Sequence, residues 1–168
     1  GHGVFTNLLL DAIQGGAGTS ANMNANEVIA NRAIELLGGT KGDYSIVHPN
    51  DHVNMAQSTN DVIPSAAKMT VIDLLEPLFS NLEYLVEVFL EKAKEFDNII
   101  KMGRTQMQDA VPIRLGQEFE SYASCIKRDI ERIKKAEKSM HEINMGGSAI
   151  GTSINVNSLY LEKIAKEI

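Results

Sequence analysis

The chain has 168 residues, 43% of them hydrophobic, which suits one globular domain with a buried core. Lys and Arg number 16 against 22 Asp and Glu, and a net charge of −6 without a dense basic run argues against a nucleic-acid partner. The single cysteine, Cys125, excludes an intrachain disulfide, and no apolar run approaches the roughly 20 residues of a membrane span, so we expect a cytoplasmic protein.

The first predicted helix follows a glycine-rich loop. Gly15, Gly16 and Gly18 indicate the loop, and apolar residues at helical spacing then predict a helix over residues 22–37. Asparagine is a mediocre helix former, so we expect hydrogen bonds from several of the four that crowd this helix. These are Asn22, Asn24, Asn26 and Asn31.

The same glycines match a dinucleotide-binding fingerprint. Residues 16–21 read G-x-G-x-x-A, and Glu35 follows at about the distance of a ribose-binding acid. A Rossmann unit also needs alternating strands and helices, whereas everything after Asn60 reads as long helices. The surer prediction is a tight turn where the backbone closely approaches a substrate or another helix.

Residues 40–57 predict a long ordered loop, or one broken by short helical turns. His48 and His52, with Asp51 between them, have the spacing of a metal-binding pair. Pro49, however, prevents a regular helix from displaying both imidazoles on one face. We therefore expect no metal site here.

Two long amphipathic helices occupy most of the remaining chain. Apolar residues at every third or fourth position predict helices over 62–96 and 112–140, joined by a polar connection at 97–111. Ser58 and Asp61 occupy capping-box positions before the first of them, where free N–H groups and the helix dipole also suit a carboxylate. The pattern predicts an all-α fold, a bundle of long helices that often packs between subunits.

Both ends of the chain resemble cuts in a longer protein. Gly1-His2-Gly3 resembles a cloning remnant, and the helical pattern at Ile168 has no stop signal. We therefore expect an internal fragment.

Five stretches of sequence, in order and at matching separations, resemble the aspartase and class II fumarase branch of the aspartase/fumarase superfamily. They are residues 15–20 (GGAGTS), 22–28 (NMNANEV), 48–55 (HPNDHVNM), 57–61 (QSTND) and 103–112 (GRTQMQDAVP). The resemblance implies that residues 1–168 form a single fragment of the family's central helical domain. The N-terminal remainder and the C-terminal half of the parent would then be absent.

Two positions separate the branches of this superfamily. At the stretch matching residues 57–61, class II fumarases typically have Gln-Ser-Ser-Asn-Asp, whereas this chain has threonine at position 59. At the positions matching 105 and 106 they typically have Thr-His, whereas this chain has Gln106. The pattern is similar to that of aspartases, with a class II fumarate hydratase as the alternative. The resemblance implies reversible deamination of L-aspartate to fumarate and ammonia, by anti-elimination through an aci-carboxylate dianion and without a metal or organic cofactor.

The resemblance also implies a set of substrate-binding residues. Three would bind the carboxylate that becomes the dianion, namely Thr19, Ser58 and Thr59. Thr105 would contact the other carboxylate, and Asn60 with Gln106 would lie near the amino group. Because the difficult step builds a second negative charge on a carboxylate, neutral donors and helix termini should supply much of the rate enhancement.

Further features follow from the same resemblance. His48, Asn50 and Asp51 resemble a second anion site near the active-site mouth, where a helical turn is locally distorted. The family's serine base and substrate-binding lysine belong to a segment beyond Ile168. Family members are homotetramers whose active sites combine segments from three subunits, so the isolated fragment is expected to be inactive. Its alternative function is that of a helical oligomerisation module.

Overall fold

The computed structural model describes residues 17–168, so the expectations for Gly15 and Gly16 lie outside the described residues. The described part is mostly helical with one two-stranded sheet, which confirms the predicted helical fold. No helix within it is long and apolar enough to cross a membrane. Two compact units are present: the chain up to Lys68 together with Ile143–Ile168, and Met69–Glu142. The assignment of the whole chain to a single domain stays a prediction.

Helix α1 spans Thr19–Leu36, close to the predicted range. It begins directly after Gly18, whose φ of 90° lies in the left-handed region. At the other end Gly38 also has a positive φ, and its N–H donates to Glu35 O while Gly39 N–H donates to Ile34 O. These two bonds form a Schellman motif, which satisfies the last carbonyls of the helix and ends it.

The loop after α1 contains a π-helical turn, Pro49–Val53. Of the two predicted forms, it is therefore the loop broken by short helical turns. Helix α2 then runs over Thr59–Glu95, in agreement with the predicted long helix. Its residues up to Lys68 belong to the first unit and the rest to the second. A shorter helix, α4, spans Ser158–Glu167 in the first unit.

A β-hairpin replaces the predicted polar connection after α2, and that prediction was wrong. Strand β1 (Ile100–Thr105) pairs antiparallel with strand β2 (Gln108–Arg114), with a register shift between Met102 and Arg104. Helix α3 therefore spans Leu115–Glu137 and begins later than predicted, because Pro112 lies in a strand and not in the first helical turn.

The core of the second unit lies where α2 and α3 bring their apolar stripes together. Val86, Ala123 and Ile130 are buried there. Partly buried apolar side chains of both helices surround them, namely Phe79, Leu82, Phe89, Leu90 and Ile126. In the first unit the buried set is more polar, since Asn22, Asn26, Asp61 and Ser65 accompany Ala30 and Ile34.

Candidate functional site

The N-termini of α1 and α2 meet in the first unit. The buried Asn22 of α1 donates from Nδ2 to Thr59 Oγ1, the first residue of α2, over 3.3 Å. Close by, a Cβ on Gly18 would lie 3.0 Å from Ile63 Cγ1, so the turn before α1 packs directly against α2. This is the close backbone approach that the glycines predicted. The first turns of α1 and α2 therefore lie side by side, and the free N–H groups and positive dipole end of a helix N-terminus favour an anion.

One amide oxygen ties α1 to the loop before α2. Asn54 Oδ1 accepts from Asn22 Nδ2 at 3.3 Å and from Asn26 Nδ2 at 3.0 Å. Farther along the helix, Asn31 Oδ1 accepts from Gly42 N–H at 2.7 Å. The prediction that several asparagines of α1 make hydrogen bonds is confirmed, and their partners are structural groups. Nothing in the local sequence marked Asn54 as their shared acceptor.

The predicted cap is present at the start of α2, but only one of the two reciprocal bonds of a capping box forms, because Ser58 Oγ accepts from Asn60 N–H and not from Asp61 N–H. Ser58 N–H donates to Asp61 Oδ1 at 2.7 Å, and Asn60 N–H donates to Ser58 Oγ at 3.2 Å. The hydroxyl oxygens of Ser58 and Thr59 thus both accept hydrogen bonds from the protein. A hydroxyl that accepts through its oxygen still has one hydrogen to donate. Thr19, the first residue of α1, is exposed at the same convergence.

The first turns of α2 also bind a distant segment of the first unit. Asp61 Oδ2 accepts from Ser148 N–H at 3.0 Å, and Asn60 Nδ2 donates to Ala149 O at 2.7 Å. Asp61 is 1% exposed. Sequence reasoning found the cap but missed this second contact, which joins residues 87 positions apart.

Tyr160 of α4 lies in the same polar region. Burial raises the pKa of its phenol, and the negative charge of Asp61 raises it further. The Gln57 side chain opposes this rise in the pKa, but within residues 17–168 the buried hydroxyl oxygen has no hydrogen bond of acceptable distance and angle. Nothing in the sequence pattern singles out this residue, because a tyrosine in an amphipathic helix is ordinary.

His48 caps the π-helical turn. The imidazole Nδ1 of His48 accepts from the main-chain N–H groups of Asn50 and Asp51, each at 3.2 Å. The main-chain N–H of His48 donates to His52 Nδ1 at 2.8 Å. The Nδ1 atoms of His48 and His52 therefore both accept hydrogen bonds from main-chain N–H groups. The local distortion expected for a second anion site is present as a π-helical turn, but its first two N–H donors are occupied by His48 in this conformation.

Thr105 and Gln106 lie on the hairpin of the second unit. Thr105 pairs with Gln108 across a two-residue turn formed by Gln106 and Met107, with φ values of 49° and 61°. Both predicted site residues are exposed. The hairpin turn therefore presents a hydroxyl and an amide side by side to solvent.

Comparisons with known proteins agree on one family. The profile of the lyase family matches residues 5–168. The aspartate ammonia-lyase of Bacillus subtilis is 55% identical over 160 residues, which cover 95% of this chain and 34% of that protein. The chain thus spans about a third of the length of this relative.

Two solved structures are similar in both fold and sequence. The fumarate lyase:delta crystallin from Brucella melitensis bound to cobalt has a TM-score of 0.86 and 52% identity, covering 92% of this chain and 34% of that one. The recombinant class II fumarase from Schistosoma mansoni has a TM-score of 0.85 and 40% identity, covering 96% and 34%.

Proposed function

This chain belongs to the lyase family, and from that membership we propose that the full-length protein catalyses the reversible deamination of L-aspartate to fumarate and ammonia. In the proposed reaction a base removes a proton from the carbon beside one carboxylate. The electron pair moves into that carboxylate and forms an aci-carboxylate dianion. It then returns to form the double bond as the carbon–nitrogen bond breaks and ammonia leaves.

One observation carries this proposal: the hydroxyl oxygens of Ser58 and Thr59 accept from Asn60 N–H and Asn22 Nδ2. Each hydroxyl accepts through its oxygen and still has a hydrogen that it would donate to a substrate carboxylate beside the N-terminus of α2. Fixed donors at a developing negative charge lower the barrier, because the protein pays no cost of reorganisation during the reaction. We assign Ser58, Thr59 and Thr19 to the carboxylate that becomes the dianion.

The remaining roles are those that the family resemblance implies, and the polarity of each group suits them. Asn60 and Gln106 are assigned to the amino group, since each amide offers an oxygen acceptor. Thr105 is assigned to the second carboxylate through its exposed hydroxyl. The serine base and the substrate-binding lysine are assigned to a segment beyond Ile168, so the isolated 168-residue chain should not turn over L-aspartate.

We also propose a second anion site at His48, Asn50 and Asp51. Because His48 Nδ1 occupies the N–H groups of Asn50 and Asp51, an anion would bind once the imidazole turned away and released both donors. Titration of the full-length protein with succinate should then show a second, weaker site that His48→Ala alters. A single site, identical in the variant, would contradict this part of the proposal.

We propose that the full-length protein is a homotetramer assembled through the long helices. Helix α2 leaves large apolar side chains exposed in the second unit, including Leu74 at 64% and Tyr84 at 68%. Other copies of the chain would cover them. The alternative proposal for the isolated chain is a helical oligomerisation module without enzymatic activity.

We assign the protein to the cytoplasm. Cys125 is a free and exposed thiol, as is usual for proteins of a reducing compartment.

Fumarate hydration is the second candidate function. The similarity to the Schistosoma mansoni class II fumarase favours it, because the two chains share 40% identity at a TM-score of 0.85. A hydratase would add water to fumarate and would not require a group that recognises ammonium. Gln106 lies at a position where class II fumarases typically have histidine, and this difference favours the ammonia-lyase.

Removal of one hydroxyl tests the proposed site. In the full-length protein, Thr59→Val should lower kcat/KM for L-aspartate by at least about a hundredfold, as expected for loss of a donor to the dianion. Thr40→Val is the matched control, because Thr40 is an exposed loop residue of the first unit, and it should change kcat/KM by less than about twofold. Full activity of Thr59→Val would refute the assignment.

A further inference from the structure

Four polar contacts bind one segment, residues 144–149, to the first part of α2. Each joins a different residue of the helix to the segment, and all lie within the first unit. They run from Asn144 N–H to Ser65 Oγ (3.0 Å), from Lys68 Nζ to Asn144 Oδ1 (3.2 Å), from Ser148 N–H to Asp61 Oδ2 (3.0 Å) and from Asn60 Nδ2 to Ala149 O (2.7 Å). The segment is therefore held along the helix and not at a single point.

Asp61 is the buried centre of these contacts. Its two carboxylate oxygens are divided between two backbone donors, Ser58 N–H at the helix cap and Ser148 N–H in the segment. Ser148 has a φ of 59°, in the left-handed region that side chains other than glycine adopt rarely. The bond to Asp61 helps to offset the strain of that conformation, since hydrogen bonds to a charged acceptor are among the stronger ones.

The contact at Ala149 fixes which way the Asn60 amide faces. A backbone carbonyl only accepts hydrogen bonds, so the Asn60 atom 2.7 Å from Ala149 O must be the amide nitrogen. The amide oxygen then faces the other way. An ammonium group has only donors and requires such an oxygen, whereas a reversed amide would present N–H groups and repel it.

We infer that Asp61 is a positioning residue that holds Ser148 and Ala149 against α2, so that the Ala149 carbonyl orients the Asn60 amide with its oxygen toward the substrate's ammonium group. This inference rests on the proposed ammonia-lyase function. Asp61 acts through Asn60 and does not touch the substrate. The segment at 148–149 is thus a determinant of specificity for an amino substrate.

A double-mutant cycle in the full-length protein tests this coupling. Asp61→Asn should lower kcat/KM for L-aspartate by at least about tenfold, because one of the two N–H groups then faces an amide nitrogen. In an Asn60→Ala background the same change should have an effect at least about fivefold smaller, since no amide remains to be oriented. Equal effects in both backgrounds would overturn the inference, because a purely structural role would be additive.

Ser65→Ala is the matched control for this cycle. It removes another attachment of the same segment, the acceptor for Asn144 N–H, and also a donor to the Asp61 main-chain O at 2.7 Å, while the Asp61 carboxylate and the Asn60 amide stay in place. It should lower the melting temperature while changing kcat/KM by less than about twofold in either background. A loss as large as that of Asp61→Asn would show that general loosening of the segment suffices, and would also overturn the inference.

Hydrogen exchange of the full-length protein provides a readout that does not depend on activity. In the wild type the Ser148 amide should exchange at least about tenfold more slowly than an unprotected amide, and Asp61→Asn should abolish that protection while Ser65→Ala retains it. If the wild type fails to convert L-aspartate, the proposed function is wrong, yet exchange still decides whether Asp61 holds the segment. An unprotected Ser148 amide in the wild type would refute the inference without any variant.

Discussion

Single polar atoms determine how the residues of the candidate site are presented. Asn54 Oδ1 orders two buried amides of α1, and one of these, Asn22, donates onward to the Thr59 hydroxyl. A buried amide left without a partner costs about 1–3 kcal/mol, so this arrangement is specific to one conformation. The hydroxyl that we assign to the substrate is therefore oriented by residues that never contact the substrate.

Tyr160 is an exception among the polar groups of this region. Its buried hydroxyl has no hydrogen-bond partner within residues 17–168, so Tyr160→Phe removes a desolvated group and should raise the free energy of unfolding by about 1 kcal/mol at neutral pH. Thr40→Val, which removes a hydroxyl from an exposed loop residue, is the control and should change the free energy of unfolding by less than about 0.5 kcal/mol. Urea unfolding measures the free energies of unfolding of both full-length variants. Destabilisation by Tyr160→Phe would show that the hydroxyl has a favourable partner.

The same residue predicts a pH dependence. Burial and the charge of Asp61 raise the pKa of Tyr160 above its ordinary value of 10.0. The stability that this shift contributes is complete below pH 10.0 and is lost as pH rises through the folded pKa, since the unfolded chain ionises first. Stability of the wild type should consequently fall more steeply above pH 10.0 than stability of Tyr160→Phe.

Residue types predicted the local contacts of the site better than the distant ones. The cap formed by Ser58 and Asp61 follows from spacing, because both partners lie within one helical turn. The bond from Ser148 to Asp61 spans 87 positions and depends on the path of the chain through the whole unit. Local sequence contains no signal for it.

At the scale of elements, helices were predictable and the hairpin was not. Most residues of β1 and β2 are exposed, and the partly buried positions of β1 are Lys101 and Gly103, so no apolar face marks the strand in the sequence. Its turn uses Gln106 and Met107 at positive φ, where hairpins normally carry Asn-Gly or Asp-Gly. Pro112 favoured a helix start, although proline is also accepted in an edge strand.

The junction between the hairpin and α3 makes a strong prediction about Gly116. A Cβ at this position would lie 2.3 Å from Ala93 O and 2.9 Å from Asp97 Cα, and both are backbone atoms. Gly116→Ala should therefore reduce the free energy of unfolding by at least about 2 kcal/mol, because the end of α2 and the start of α3 would have to separate.

Gly42→Ala is the control for this prediction. Gly42 has a φ of 88° but nothing within 4 Å of its Cβ position, so only backbone strain of about 1 kcal/mol is expected. Urea unfolding compares the two variants in the full-length protein. Equal losses would show that collision at Gly116 is not the dominant effect.

At the scale of the whole molecule, exposed apolar surface on α2 supports assembly. If Leu74 is covered by another copy of the chain, Leu74→Asp should convert the full-length tetramer into smaller species, since an unpaired buried charge is strongly unfavourable. Glu91→Lys changes the charge at an exposed position of the same helix and should leave the tetramer intact. Light scattering after gel filtration measures the masses, and a tetrameric Leu74→Asp would contradict this role for the helix.

Family membership was predictable from the sequence because the five matching stretches form a long ordered series that no short motif provides alone. Composition and periodicity predicted the helical class and the apolar stripes that meet at Val86 and Ile130. Neither could indicate that the chain divides into two compact units, since that division depends on contacts between distant residues.

The proposed ammonia-lyase function is tested by measuring fumarate through its ultraviolet absorbance, with L-aspartate and L-malate supplied separately to the full-length protein. We predict fumarate from L-aspartate and none above background from L-malate, because Asn60 and Gln106 are assigned to an ammonium group. Turnover of L-malate alone would contradict the account and identify a fumarate hydratase.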